Sequence, residues 1–224
     1  MRNLWFLENP LRVIILQSPP KPVFTYYKTL MANINFSNSL HDTLFPEFIH
    51  SVRCTEESYV GDCLKLRDLD PKGIHVSIQN GWHSRFFNYH DDKCGVDRLD
   101  ELMGGCWSYA KEFAANEFKF DTLRIEEWWV NIGANMSYNN VHSHGRAAVI
   151  GIFFVKVPEG SGDLVVQRND GASYSTIYGN MKNGNQFRIT PEENRFYLLP
   201  GHLWHWVDIH QGVEDRISIS VNYY

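Results

Sequence analysis

The sequence predicts a mainly β fold, a jelly-roll or cupin-like barrel with supporting helices on its N-terminal side. The first observation behind this prediction is a hydrophobic pattern with a period of two after residue 120, in short segments rich in β-branched and aromatic residues. The second is that turn signals such as Asp170-Gly171 and Pro200-Gly201 separate several of these segments. A series of such strands behind a helical segment is typical of this barrel class. The segments are 122–132, 147–157, 163–168, 185–189, 195–199, 203–209 and 216–223.

The segment before the strands predicts an amphipathic helix over residues 97–118. Its apolar positions lie close to the i, i+3, i+4, i+7 spacing. They are Leu99, Leu102, Met103, Cys106, Ala110, Phe113, Ala114 and Phe118. Gly104-Gly105 inside this stretch lowers its helix propensity. We expect one catalytic domain over residues 41–224, with its β core at 122–224, and an N-terminal extension, peripheral or disordered, over residues 1–40.

Composition and charge describe an ordinary globular protein. Hydrophobic residues make up 43% of the chain and charged residues 21%. The net charge of −5, without a Lys/Arg run, gives no evidence for nucleic-acid binding, although a local basic channel stays open. The apolar run Val13–Leu16 is too short to span a membrane. We therefore expect neither a nucleic acid nor a membrane as partner, and a homodimer is left open.

The cysteines predict a reducing compartment. They are Cys54, Cys63, Cys94 and Cys106, and they form no CxxC pair that would indicate a structural zinc site or a redox motif. Reduced thiols are typical of cytoplasmic proteins. We expect a cytoplasmic location.

The first chemical signal is the pair of histidines in His142-Ser143-His144. In an extended segment, residues two apart point to the same side, so both imidazoles can bind one ion. Neutral imidazole suits iron, zinc, copper or nickel, so the pair does not choose among them. Two solvated surface histidines are the alternative.

The second signal is His205, which alternation places on one strand face with the apolar residues Leu203 and Val207. A titratable ring on an apolar face needs a partner, which a metal ion would provide. The alternative is a core histidine that is hydrogen-bonded to a backbone carbonyl.

The third signal is the segment 216–222, in which one face carries Arg216, Ser218, Ser220 and Asn222. If that face points into a barrel, the buried guanidinium needs an anion, and the hydroxyl of Ser218 would help it to bind a carboxylate. The strand follows His205 after a short turn, which would set the anion site near the metal. A solvent-facing final strand is the alternative.

These motifs, in this order, resemble the iron(II)/2-oxoglutarate oxygenases of the double-stranded β-helix fold. More narrowly, they resemble a poorly characterised group of such oxygenases found in bacteria and phages. The shared stretches are Gly81-Trp82-His83-Ser84, Trp129-Val130-Asn131, His142-Ser143-His144, 155–162, Leu203-Trp204-His205-Trp206-Val207 and 216–222. The resemblance covers about residues 40–224.

The resemblance implies a set of site residues and cofactors. His142 and His205 would bind Fe(2+), and Arg216, helped by Ser218, would bind the distal carboxylate of 2-oxoglutarate, with O2 as the oxidant. Most enzymes of the superfamily have Asp or Glu at the position of His144. We expect three histidine ligands, because the two-residue spacing sets His144 beside His142. The alternative is that Asp163 supplies the third ligand and His144 lies behind it.

The implied reaction couples decarboxylation of 2-oxoglutarate to oxidation, as in a hydroxylase, of an unknown small molecule or macromolecular side chain. An apolar wall from Trp82, Trp128, Trp129 and Trp204 would keep the site dry, unless these residues are ordinary core. One alternative is a cupin-type three-histidine metalloenzyme without 2-oxoglutarate. Another is a non-catalytic β-helix binding module.

Overall fold

The computed structural model describes residues 48–54, 57–167 and 186–224. All of them belong to one unit of the chain, Pro46–Tyr224. The predicted extension over residues 1–40 and the turn signal Asp170-Gly171 lie outside the described residues.

The described part contains two helices, α1 (Val60–Leu69) and α2 (Asp97–Phe118). Helix α2 has the predicted bounds and ends where Lys119 adopts a left-handed conformation with φ 58° and donates its N–H to the carbonyl of Ala114. Gly104 is explained by packing, since a Cβ there would lie 2.5 Å from the Tyr89 hydroxyl. The predicted amphipathic helix is therefore confirmed.

Ten strands in the described residues form one antiparallel sheet that curls on itself. They are β1 (His50–Arg53), β2 (Ile78–His83), β3 (Phe87–Asn88), β4 (Ile125–His142), β5 (Val149–Lys156), β6 (Leu164–Gln167), β7 (Gln186–Ile189), β8 (Arg195–Pro200), β9 (Trp204–Val207) and β10 (Arg216–Tyr223). Their order is β1-β8-β5-β10-β4-β9-β6-β7, and β2 and β3 pair with β4 off this path. The mainly β prediction is confirmed, and each predicted strand segment has a counterpart.

Strand β4 differs most from its prediction. The segment 122–132 is only the first part of an 18-residue strand that continues to His142. The second part is polar, so its hydrophobic period is weak, and it is fixed by pairing with β2 and β9. A break in the pattern occurs at Met136, which has a positive φ of 66° and donates its N–H to the carbonyl of His210.

The two faces of the sheet have different neighbours. Helix α2 covers one face, where Ile217, Ile219 and Val221 of β10 join its core cluster. On the other face Ser218 and Ser220 of β10 line a cavity together with apolar side chains of β5. The polar face predicted for β10 therefore points into the barrel, because the alternate face is the one that packs against the helix.

The four cysteines are free thiols. The sulfur atoms of Cys54 and Cys106 lie 4.0 Å apart and connect the end of β1 with α2. The Cys106 thiol hydrogen-bonds the Cys54 sulfur and lowers the pKa of Cys54 to about 7. Neither helix in the described part of the chain is long and apolar enough to cross a membrane.

Candidate metal and cosubstrate site

Three histidines meet at one end of the cavity. His142 ends β4 and is paired in register with His205 of β9, and their ring centroids lie 4.4 Å apart. His144 follows in the next loop, with its ring 5.0 Å from that of His142 and 5.2 Å from that of His205. One ligand nitrogen of each ring lies within 4.8 Å of the other two, so small rotations would bring all three to one ion.

In each of the three rings a hydrogen bond holds the Nδ1 atom. The Nδ1 atom of His142 lies 2.6 Å from the carbonyl of Asn140, and that of His205 lies 3.1 Å from the carbonyl of Leu203. The Nδ1 atom of His144 lies 2.6 Å from the side-chain oxygen of Asn222. Because each partner is an acceptor, each Nδ1 carries the proton and each Nε2 keeps its lone pair for a metal.

Burial keeps these imidazoles neutral. Burial first, and then the neighbouring imidazoles, lower the pKa of His205 to about 3 and that of His144 to about 4. Burial also lowers the pKa of His142. Protons therefore compete weakly with a metal ion near neutral pH.

A chain of two hydrogen bonds, the relay, connects His144 through Asn222 to Glu127. Asn222 accepts from His144 and donates its amide N–H to a carboxylate oxygen of Glu127 at 2.7 Å. Asn222 and Glu127 are cross-strand partners of β10 and β4. The polar face of β10 indicated Asn222, but the role of Glu127 follows only from the register.

We expect Asn222→Leu to weaken Fe(II) binding by about 10- to 100-fold, because His144 would lose the acceptor that fixes its tautomer and ring orientation. An anaerobic Fe(II) titration measures this. Glu126→Gln is the matched control, since Glu126 is exposed beside Glu127 and should bind iron normally. Unchanged affinity in Asn222→Leu would show that the relay has no part in metal binding.

Asp163, the alternative third ligand, is engaged elsewhere. Its carboxylate accepts from the Thr190 hydroxyl at 3.0 Å and lies 3.6 Å from the guanidinium of Arg188. Within residues 48–54, 57–167 and 186–224, the three histidines are the one cluster of His, Cys, Asp or Glu arranged to hold a metal. This arrangement favours three histidine ligands.

Arg216 lies further along the same face of β10 as Ser218. It is 3% exposed. Its guanidinium donates to the carbonyls of Ser161 and Asp208, at 2.6 and 3.4 Å, and to the side-chain oxygen of Asn139 at 3.4 Å. These three contacts leave some of its N–H donors for a ligand.

The guanidinium of Arg216 is a buried cation. Among the described residues, no carboxylate forms an ion pair with Arg216. Burial lowers its pKa to about 10, so it stays charged at neutral pH. A buried charge without a counter-ion is costly, and an anionic ligand would remove that cost.

Gly133 provides room for the Ser137 hydroxyl beside the guanidinium. It is paired with Arg216 across β4 and β10. A Cβ at this position would lie 2.3 Å from the Ser137 hydroxyl and 3.6 Å from Nη2 of Arg216. Sequence reasoning did not single out Gly133, because nothing local to β4 reveals which side chain lies opposite.

The cavity is lined by the three histidines and by Asn139, whose side-chain oxygen accepts from Arg216. Its lining includes Ser77, Trp129, Asn131, Asn139, His142, His144, Ile150, Ile152, Phe154, His205, Val207, Ser218 and Ser220. Of the four tryptophans predicted as its wall, Trp129 lines it and stacks on His144 at 5.6 Å. Trp128 faces the helix-side core instead, and Trp204 is 36% exposed.

Comparison with known proteins agrees with this geometry. Residues 127–222, which include all three histidines and Arg216, match the model of a family described as "Putative 2OG-Fe(II) oxygenase". This match, over residues 127–222, shows that the chain is similar to the 2OG-Fe(II) oxygenases. The predicted resemblance is confirmed, and the family implies Fe(II), 2-oxoglutarate and O2 for an oxygenase of this kind.

Solved structures confirm the fold of the oxygenase. The carbocyclase SnoK, a non-heme α-ketoglutarate-dependent enzyme from nogalamycin biosynthesis, matches with a TM-score of 0.55 at 8% identity, over 79% of each chain. The viral collagen prolyl hydroxylase vCPH from Paramecium Bursaria Chlorella virus-1, in complex with 2OG, matches with a TM-score of 0.51 at 13% identity, over 78% of this chain and 94% of that one. No curated protein matches the chain. The double-stranded β-helix prediction is confirmed.

Proposed function

We propose that His142, His144 and His205 hold the Fe(II) of this oxygenase and that Arg216, with Ser218, holds the distal carboxylate of 2-oxoglutarate. One observation carries the proposal: the three imidazoles line a cavity together with Ser218 and Asn139, and Asn139 accepts from a buried guanidinium that lacks a carboxylate partner among the described residues. When bound, Fe(II) supplies the redox chemistry that couples decarboxylation of 2-oxoglutarate to oxidation of a substrate carbon. We propose hydroxylation as the outcome.

The surrounding side chains protect this chemistry. Trp129, Ile150 and Phe154 line the cavity beside the histidines, and their apolar surfaces would limit the access of water to it. With little water present, the attraction between Arg216 and a carboxylate is screened less than at the surface. The same apolar walls leave the polar contacts of Ser218 and Asn139 to orient a bound keto acid.

Each of the two alternatives leaves part of this site without a use. A three-histidine metalloenzyme that binds its substrate directly has no need of a buried cation behind Asn139 of the cavity wall. A binding module has no need of three imidazoles whose Nδ1 atoms are all held and whose Nε2 atoms are free. The site therefore favours the 2-oxoglutarate-dependent reaction over both.

We further propose a cytoplasmic location, supported by the four free thiols. We still predict that nucleic acid is not a partner. A homodimer remains an open possibility. The substrate is a small molecule or a macromolecular side chain.

Anaerobic addition of Fe(II) and 2-oxoglutarate, followed by O2, tests the proposed function. We expect a visible charge-transfer band that forms only with both ligands, and then succinate release when O2 is admitted. Zn(II) in place of Fe(II) is the control and should give neither. Iron binding without the band and without succinate would contradict the role of 2-oxoglutarate and favour the cupin-type alternative.

A further inference from the structure

Two polar side chains beside the proposed metal site have no role in the scheme above. His83 ends β2 and is 1% exposed, and Asn131 lies on β4 and is 5% exposed. The Nε2 atom of His83 and the side-chain oxygen of Asn131 are both buried without a hydrogen-bond partner. Buried polar atoms in native proteins are nearly always paired, so these two indicate a missing ligand.

The strand register places both side chains on the cavity side of the sheet. Asn131 of β4 is paired with His83 of β2 on one side and with Ser218 of β10 on the other. Directly paired residues of antiparallel strands point to the same face. Since Asn131 and Ser218 line the cavity, His83 faces the same way.

Ring contacts bring His83 close to the metal ligands. The His83 ring is parallel to that of Trp129, with centroids 5.8 Å apart and an interplanar angle of 9°. Trp129 also stacks on His144, at 5.6 Å and 8°. The same indole ring therefore contacts both His83 and a proposed iron ligand.

The hydrogen-bond pattern defines what the missing group must supply. The Nδ1 atom of His83 lies 2.5 Å from the carbonyl of Ser84, so Nδ1 carries the proton and Nε2 is an acceptor. Burial lowers the pKa of His83, which keeps the ring neutral. The side-chain oxygen of Asn131 is also an acceptor. Both atoms therefore need a hydrogen-bond donor.

The cosubstrate cannot supply that donor. At neutral pH 2-oxoglutarate has two carboxylates and a ketone, which only accept hydrogen bonds. An ammonium group could donate, but the proposed Fe(II) with three neutral ligands and the guanidinium of Arg216 already make the cavity positive. A neutral amide N–H or hydroxyl group remains.

We propose that His83 and Asn131 bind the oxidisable substrate, and that this substrate presents neutral amide N–H or hydroxyl donors to them, one hydrogen for each acceptor. The inference rests on the proposed function, because it takes the neighbouring cavity as the place of oxidation. His83 and Asn131 then determine specificity: a substrate without the donor leaves two buried acceptors unpaired, which reduces its affinity strongly.

Matched pairs of small probes test this without knowledge of the natural substrate. In each pair only the first compound has a donor: benzamide is compared with methyl benzoate, and benzyl alcohol is compared with benzyl methyl ether. Benzylammonium tests a charged donor. Their affinities are measured by ligand-observed NMR on protein loaded with Zn(II) and 2-oxoglutarate. We expect the amide and the alcohol to bind about 10-fold more tightly than their partners and than benzylammonium.

Variants assign the preference to the two residues. His83→Phe keeps a ring for stacking on Trp129, and Asn131→Leu keeps the approximate volume of the side chain. Each variant removes one acceptor and should reduce the preference for donor-bearing probes to about 2-fold or less. His90→Phe is the matched control, because His90 is an exposed ring that stacks edge-on against Trp107. His83→Gln restores an acceptor and should restore part of the preference.

The charge-transfer band separates the two proposals. If the Fe(II)–2-oxoglutarate band does not form in the parent protein, the proposed function fails, and this inference fails with it. If the band forms but both members of each pair bind equally, or if His83→Phe keeps the full preference, the inference alone is overturned, since water then satisfies the two acceptors.

Discussion

His205→Ala is expected to remove Fe(II) binding and, with it, succinate formation. His205 is the most buried of the three histidines, and its Nδ1 is held by the carbonyl of Leu203, so its Nε2 is fixed toward the other two rings. Loss of an outer partner of a ligand alone costs about 10- to 100-fold in affinity, so loss of a ligand should cost ~100-fold or more. Iron content after desalting and succinate yield measure the effect.

Four further variants make this result specific. His202→Ala removes an exposed histidine from the preceding turn and should keep iron and activity. His144→Ala should lose iron, whereas His144→Asp should retain it, because a carboxylate at this position gives the ligand set that is common among related sites. Asp163→Asn should bind iron normally. Iron loss in Asp163→Asn with normal binding in His144→Ala would overturn the three-histidine site.

Arg216→Ala is expected to weaken the binding of 2-oxoglutarate by ~30-fold or more while the affinity for Fe(II) stays within a few-fold. Removal of one partner from a buried charge pair costs about 2 to 5 kcal/mol. 2-Oxobutyrate, which lacks the distal carboxylate, should bind the parent protein and the variant with similar affinity. The charge-transfer band, titrated with each keto acid, gives both values.

The comparison of two keto acids distinguishes a lost contact from general damage to the fold. Arg216 also donates to Ser161, Asp208 and Asn139, so the variant could be less stable. Instability would weaken the binding of both keto acids equally. That result would contradict a specific contact between Arg216 and the distal carboxylate. Arg188→Ala is the matched control, because Arg188 is an exposed guanidinium paired with Asp208. Arg216→Lys should retain part of the affinity as a point charge.

The proposed iron site has an unusual distribution of charge. All three ligands are neutral imidazoles, and the nearest carboxylate in the chain of hydrogen bonds is Glu127, which acts on His144 through Asn222. In the common facial triad a carboxylate binds the metal directly. Here the ion would keep its full double charge, which strengthens its attraction for the carboxylate end of a keto acid.

Several elements could be predicted because their signals are local. The amphipathic spacing gave α2 its bounds, and alternation located the strands from β5 to β10. In contrast, α1 buries only Cys63 and Leu66 and has almost no apolar face, and β2 is largely polar. Both were missed, since their positions depend on the surfaces against which they pack rather than on their own pattern.

The sequence by itself determined the type of fold and the chemical character of the site, because the HxH spacing, His205 and the alternation of Arg216 and Ser218 each follow from a few adjacent residues. Only the tertiary structure decided which face of β10 points inward, that Glu127 supports His144 through Asn222, and that His83 and Asn131 share a row with Ser218. The physical reason is strand register. It joins residues that are far apart in the chain, and it is fixed by the packing of the whole sheet against α2.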